Sequence, residues 1–120
     1  MVDLDGLQVA YLGVALAHYL DLETGDIIDQ PLDDEPPGEP SRFLRIPTRD
    51  AESEAEDRRL FLEKVKIHAV RAQLAEVVDD AHGYREVLHA DRIVERSFFN
   101  FKNDRATKAI QEWLASEGIE

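Results

Sequence analysis

Asp21, Glu23 and Asp26 place three carboxylates within six residues around Gly25, in the stretch YLDLETGDII. Acidic side chains this close are either oxygen ligands for a hard cation or the solvated rim of a tight turn. An EF-hand loop beginning at Asp21 would need glycine at its sixth position and a bidentate glutamate at its twelfth. Gly25 is fifth and Leu32 is twelfth, which excludes that motif. A looser Ca²⁺ or Mg²⁺ site through Asp21, Glu23 and Asp26 is the remaining metal chemistry, and a small metal-dependent enzyme at this hairpin is the functional reading attached to it. The plainer reading is a turn whose carboxylates face water.

Two other groupings carry chemical possibilities. His82, Glu86 and His89, spaced by four and three, share one face of a continuous helix and have the donor types Zn²⁺ accepts, although Gly83 follows the first of them directly. Arg92, Arg96, Lys102, Arg105 and Lys108 lie beside Phe98, Phe99 and Phe101, and basic groups interleaved with aromatics can neutralise and stack a single nucleic-acid strand. The competing account has the phenylalanines in a core, with the basic heads reaching outward on apolar stems. Catalytic nucleophiles are poorly supported. Ser41, Ser53, Ser97 and Ser116 lack a Gly-x-Ser-x-Gly setting, cysteine is absent, and no phosphate-cradling glycine loop occurs. The chain therefore reads as non-enzymatic, with no cofactor.

The charge distribution shapes the choice among partners. Net charge is -12. Residues 1–41 hold ten acids and no lysine or arginine, whereas residues 42–120 hold sixteen acids against fourteen bases. A field of this sign repels phosphate and anionic membranes and draws basic protein surfaces. A protein partner with a basic surface is expected, with no membrane partner. Acids in the first residues and an apolar run from Val9 to Ala17, far short of the ~20 residues that span a bilayer, argue against export or anchoring. A chain without cysteine suits the reducing cytoplasm.

Local signals set out the elements. Asp3 or Asp5 caps a first helix bearing Leu4, Leu7, Tyr11 and Leu12 on one face. Tyr19, Asp21 and Glu23 alternate with Leu20 and Leu22 as in a half-buried strand, Ile27–Ile28 opens a second, and Gly25 suits the positive φ of a hairpin turn. The stretch from Gln30 to Ser41, QPLDDEPPGEPS, holds four of the chain's five prolines and four acids, a composition for an extended or weakly ordered loop. Phe43 to Ile46 alternates again and ends at Pro47. Beyond it the pattern is helical. A long segment is capped by Thr48 or Asp50 with a break near Ile67–His68, a shorter helix covers Tyr84 to His89, and a last one begins near Phe98 and stops at Gly118 with Ile119 packing back.

The order of these segments, a short helix, YLDLETGDII, a strand ending Ile46–Pro47, a Gly-aromatic-Arg junction and the terminal FFNFKNDRATKAIQEWLASEGI, resembles the UPF0158 family of small bacterial proteins. Tyr19, Leu20, Asp21, Thr24, Gly25, Ile46, Pro47, Trp113, Leu114, Gly118 and Ile119 carry the resemblance, with Asp26 in place of the family's glutamate. The chain departs at His82-Gly83-Tyr84-Arg85-Glu86, where the family has paired arginines, and at Phe98-Phe99-Asn100-Phe101, where it has Trp-Tyr-x-Phe. The resemblance implies a fold and no biochemical activity.

Taken together, the sequence predicts one α+β domain over residues 1–120. A small antiparallel sheet of about three strands, from a hairpin over 18–30 and a strand over 42–47, is packed by a mainly helical C-terminal two thirds. Its expected core comprises Leu20, Leu22, Ile28, Leu44, Leu60, Phe61, Leu74, Phe101, Ile110 and Trp113. The leading functional expectation is an acidic interaction module docking a basic partner through Asp29, Asp33, Asp34, Glu35 and Glu39. A nucleic-acid-associated regulator using Arg92, Arg96, Phe98, Phe99, Lys102, Arg105 and Lys108 is the alternative.

Overall fold

The computed structural model describes residues 2–119. The expected α+β architecture is present, with a three-stranded antiparallel sheet and helices mainly in the C-terminal part. Helix α1 (Leu4–Leu12) is capped by Asp3, whose carboxylate accepts from the Gly6 N–H. Strands β1 (Ala17–Asp21), β2 (Ile27–Gln30) and β3 (Phe43–Arg45) follow, in the spatial order β2-β1-β3. The register sets Tyr19 opposite Ile28 on one side and Arg45 on the other, and Leu20 opposite Leu44. Gly25 takes φ 80°, as the turn requires.

Helix α2 (Ala51–Phe61) starts at Asp50, which accepts from the Ser53 N–H, and tightens into a 3₁₀ turn over Leu62–Lys64. The expected break follows at Val65, whose backbone is extended, before α3 (His68–Glu76) and α4 (Ala81–His89). Asp80 marks the start of α4, its carboxylate accepting from the Gly83 N–H. Helix α5 (Arg92–Ser116) begins earlier than the sequence suggested. The Asp91 carboxylate accepts from the N–H groups of Ile93 and Val94, a cap that apolar periodicity does not register. The C-terminal end matches expectation: Gly118 has φ 71°, the Ile119 N–H donates to the Leu114 carbonyl, and Ile119 packs back on the core.

The length argues for one domain, and contacts between residues gather into two compact units, residues 1–49 with 105–120, and residues 50–104. Each has its own core. In the first, Leu7, Ala10, Leu20, Ile46, Ile110 and Leu114 are buried, with Trp113 and Ile119 partly buried against them. In the second, Phe61, Val65, Leu74, Tyr84, Leu88 and Val94 are buried, flanked by Phe98 and Phe101. The Tyr84 hydroxyl donates to the Arg58 carbonyl at 3.0 Å, and burial pushes its ionisation above the ordinary range. Of the ten residues expected inside, Leu20, Phe61, Leu74 and Ile110 are fully buried. Leu22 is instead 45% exposed, because β1 ends at Asp21 and its alternation of faces ends there too. Ile28, Leu44, Leu60, Phe101 and Trp113 are partly buried.

Candidate functional site

The acidic hairpin is built differently from a rim of solvated carboxylates. All five residues of β1 are buried, including Asp21 at 4% exposure. Arg42, delivered by the segment entering β3, grips both oxygens of that carboxylate, Nε to Oδ1 at 3.1 Å and Nη2 to Oδ2 at 2.9 Å. Its Nη1 reaches Glu23 at 3.1 Å, and the guanidinium lies 5.0 Å from the centre of the Phe43 ring. Asp21 also accepts from the Glu23 N–H at 2.9 Å, locking the turn from within. The expectation that the three carboxylates face water is thus corrected for Asp21 and holds for Glu23 and Asp26, which are exposed. A buried acid needs a partner, and a two-pronged guanidinium supplies one.

The hydrogen bonds from Arg42 hold the Asp21 carboxyl well below the usual carboxylate range, burial opposing them. The stabilisation this pair supplies is complete above the ordinary carboxylate value of about 3.9 and fades as pH falls toward the depressed folded-state value. Asp21→Asn is expected to lower the urea midpoint at neutral pH, with the gap from the parent chain narrowing below about pH 4. Parallel midpoint curves down to about pH 2 would contradict the clamp.

The same pairing decides the metal reading. Among the described residues no group of three or more histidines, cysteines, aspartates or glutamates is placed to hold a metal ion. Asp21 and Glu23 face a guanidinium instead. The zinc constellation is likewise not assembled: His82 pairs with Glu86 at 2.6 Å, while His89 turns to Glu95 at 3.4 Å.

His18 was not singled out by the sequence, yet it anchors the hairpin. Its ring is buried, with Nδ1 2.6 Å from Asp29 Oδ1 and Nε2 2.6 Å from the Gly13 carbonyl oxygen. Each ring nitrogen thus lies within hydrogen-bond reach of an oxygen from a different segment. Asp29, expected in the docking set, is therefore engaged at the root of the loop. The other four expected acids, Asp33, Asp34, Glu35 and Glu39, are exposed.

From Pro31 to Ser41 every residue is exposed. Local turns give this loop shape: the Asp34 N–H donates to the Pro31 carbonyl at 3.1 Å, the Gln30 amide donates to the Glu35 carbonyl, and the N–H groups of Arg42 and Phe43 both reach Glu39 at 2.9 Å. The prolines remove donors and fix φ, which keeps the segment out of the sheet. The result is a projecting acidic loop fixed at both ends.

The aromatic residues of α5 are divided between core and surface. Phe98 meets Phe61 edge-on at 5.2 Å and Tyr84 at 5.5 Å, and Phe101 meets Phe61 at 5.6 Å, so both rings belong to the second unit's core. Phe99 alone of the three is exposed, with the Lys102 ammonium 4.9 Å from its ring centre. Arg92 and Arg96 are exposed on the same helix, while Arg105 and Lys108 lie in its portion belonging to the first unit. A stacking platform needs several open rings, and one remains. No helix among the described residues is long and apolar enough to cross a membrane.

Comparison with protein-family models, with curated proteins and with solved structures returns no match for this chain.

Proposed function

We propose that the chain is a non-enzymatic cytoplasmic interaction module whose acidic loop docks a basic surface on a protein partner. The observation that carries this reading is the loop itself, exposed from Pro31 to Ser41, bearing Asp33, Asp34, Glu35 and Glu39, and tied down at Gln30 and Glu39. A loop held in shape loses less freedom on binding than a slack one. Its carboxylates add to a long-range field that speeds encounter with a basic surface, so binding weakens as salt screens it. Kinship with UPF0158 is part of the proposal and rests on motif order alone.

The test is affinity capture from a nuclease-treated lysate at low and high salt, comparing the parent chain with one carrying Asp33→Asn, Asp34→Asn, Glu35→Gln and Glu39→Gln. A basic protein captured by the parent at low salt, and lost both on neutralisation and at high salt, is the expected result. Identical captures by the two chains would remove the loop from the function.

A further inference from the structure

The second unit carries a feature that the acidic-loop reading does not use. A pocket of about 260 Å³ lies between the 3₁₀ turn after α2 and the start of α5. Buried Phe61 and Val94 line it together with Ile67 and Ile93, which are 50% and 78% exposed, and Lys64 and Lys66 complete the wall. Its lining contains no carboxylate. Among the described residues neither lysine has an ion-pair partner. Two isoleucines left this open beside two free ammonium groups describe a receptor for an apolar side chain followed by acids. The volume falls just short of the roughly 300 Å³ at which small-molecule pockets begin, and suits one or two aliphatic side chains better than a cofactor.

The chain itself carries the complementary segment. Leu32 is 53% exposed at the start of the acidic loop and is followed directly by Asp33, Asp34 and Glu35. We infer that the pocket of one copy receives Leu32 of a second copy, with the three following carboxylates meeting Lys64 and Lys66. This rests on the reading of the loop as a docking element, and names its basic surface as one on the chain's own second unit. Charge complementarity is local here, because a net charge of -12 on each copy opposes their approach. The association is accordingly weak, as expected of a small contact.

Sedimentation of the full-length chain over a wide concentration range tests it. The average mass of the parent chain should rise with concentration. A loop-reversed chain (Asp33→Lys, Asp34→Lys, Glu35→Lys) and a pocket-reversed chain (Lys64→Glu, Lys66→Glu) should each self-associate at least about tenfold more weakly, and an equal mixture of the two should associate again. Recovery in the mixture also shows that both variants are folded. Leu32→Asp and Ile93→Asp should each abolish association.

A parent chain that stays monomeric at millimolar concentration overturns the inference, as does a mixture that fails to recover. Association that survives Leu32→Asp but not Ile93→Asp would give the pocket to another segment and overturns it equally. Failure here is separable from failure of the proposed function. A monomeric chain that still loses its captured partner on loop neutralisation keeps the docking module and loses the self-pairing. A chain that pairs through the pocket, yet captures the same proteins with and without the loop charges, keeps the self-pairing and loses the separate partner.

Discussion

Replacing Phe61 by alanine is expected to cost about 3–5 kcal/mol of stability, the range for deleting a buried aromatic ring from a packed core. The side chain is 2% exposed and sits among Val65, Leu74, Tyr84, Leu88 and Val94. Its ring also meets Phe98 at an interplanar angle of 77° and Phe101 at 49°. An edge-to-face pair such as the first adds about 0.5–1.5 kcal/mol beyond the area it buries. Natural domains hold only about 5–15 kcal/mol in reserve, so the loss is a large fraction of the total. Urea unfolding followed by circular dichroism would read it. A loss below about 1 kcal/mol would mean that the ring is not packed as described.

The second large effect contrasts two isoleucines on one helix. Ile110→Ala should cost about 2–5 kcal/mol, whereas Ile93→Ala should stay within about 0.5 kcal/mol of the parent chain. Both residues lie on α5 and differ sharply in exposure: 0% for Ile110, 78% for Ile93. Ile110 closes on Leu7, Ala10, Leu20, Ile46 and Leu114, and truncating it leaves a space that neighbours from a helix and a strand cannot fill by small shifts. Ile93 stands open at the lysine-lined pocket, where truncation removes few contacts in the isolated chain. Urea midpoints of the two variants would separate widely, and equal losses would contradict this division of burial. An Ile93→Ala chain that keeps its stability but loses concentration-dependent association would also tie the exposed side chain to docking.

Periodicity served unevenly along the chain. Leu20 and Leu22 alternate identically in sequence, yet one is buried in the first unit's core and the other is exposed, because the strand stops between them. The pattern of a strand says which residues share a face, and says nothing of where the sheet runs out. Phe98, Phe99 and Phe101 form another such case. Their proximity to basic residues suggested stacking on nucleic acid, and the arrival of Phe61 and Tyr84 from α2 and α4 turned two of the three inward. The hydrophobic gain from burying a ring exceeds what an exposed ring adds to a solvated helix face.

What the sequence determined by itself was governed by backbone chemistry within a few residues. A cap at Asp3 or Asp5 and another at Thr48 or Asp50, of which the structure uses Asp3 and Asp50, the hairpin turn at Gly25, the stop at Gly118 with Ile119 folding back and the break near Ile67–His68 all follow from local donors, acceptors and allowed φ. Tertiary structure alone decided the fate of the chemically suggestive residues. Asp21 became a buried anchor because Arg42, twenty-one residues onward, reaches it, and His18 became a bridge because Gly13 and Asp29 converge on its two nitrogens. Such partners are chosen by sheet register and by packing between distant segments, and neither spacing nor composition specifies which charge will meet which.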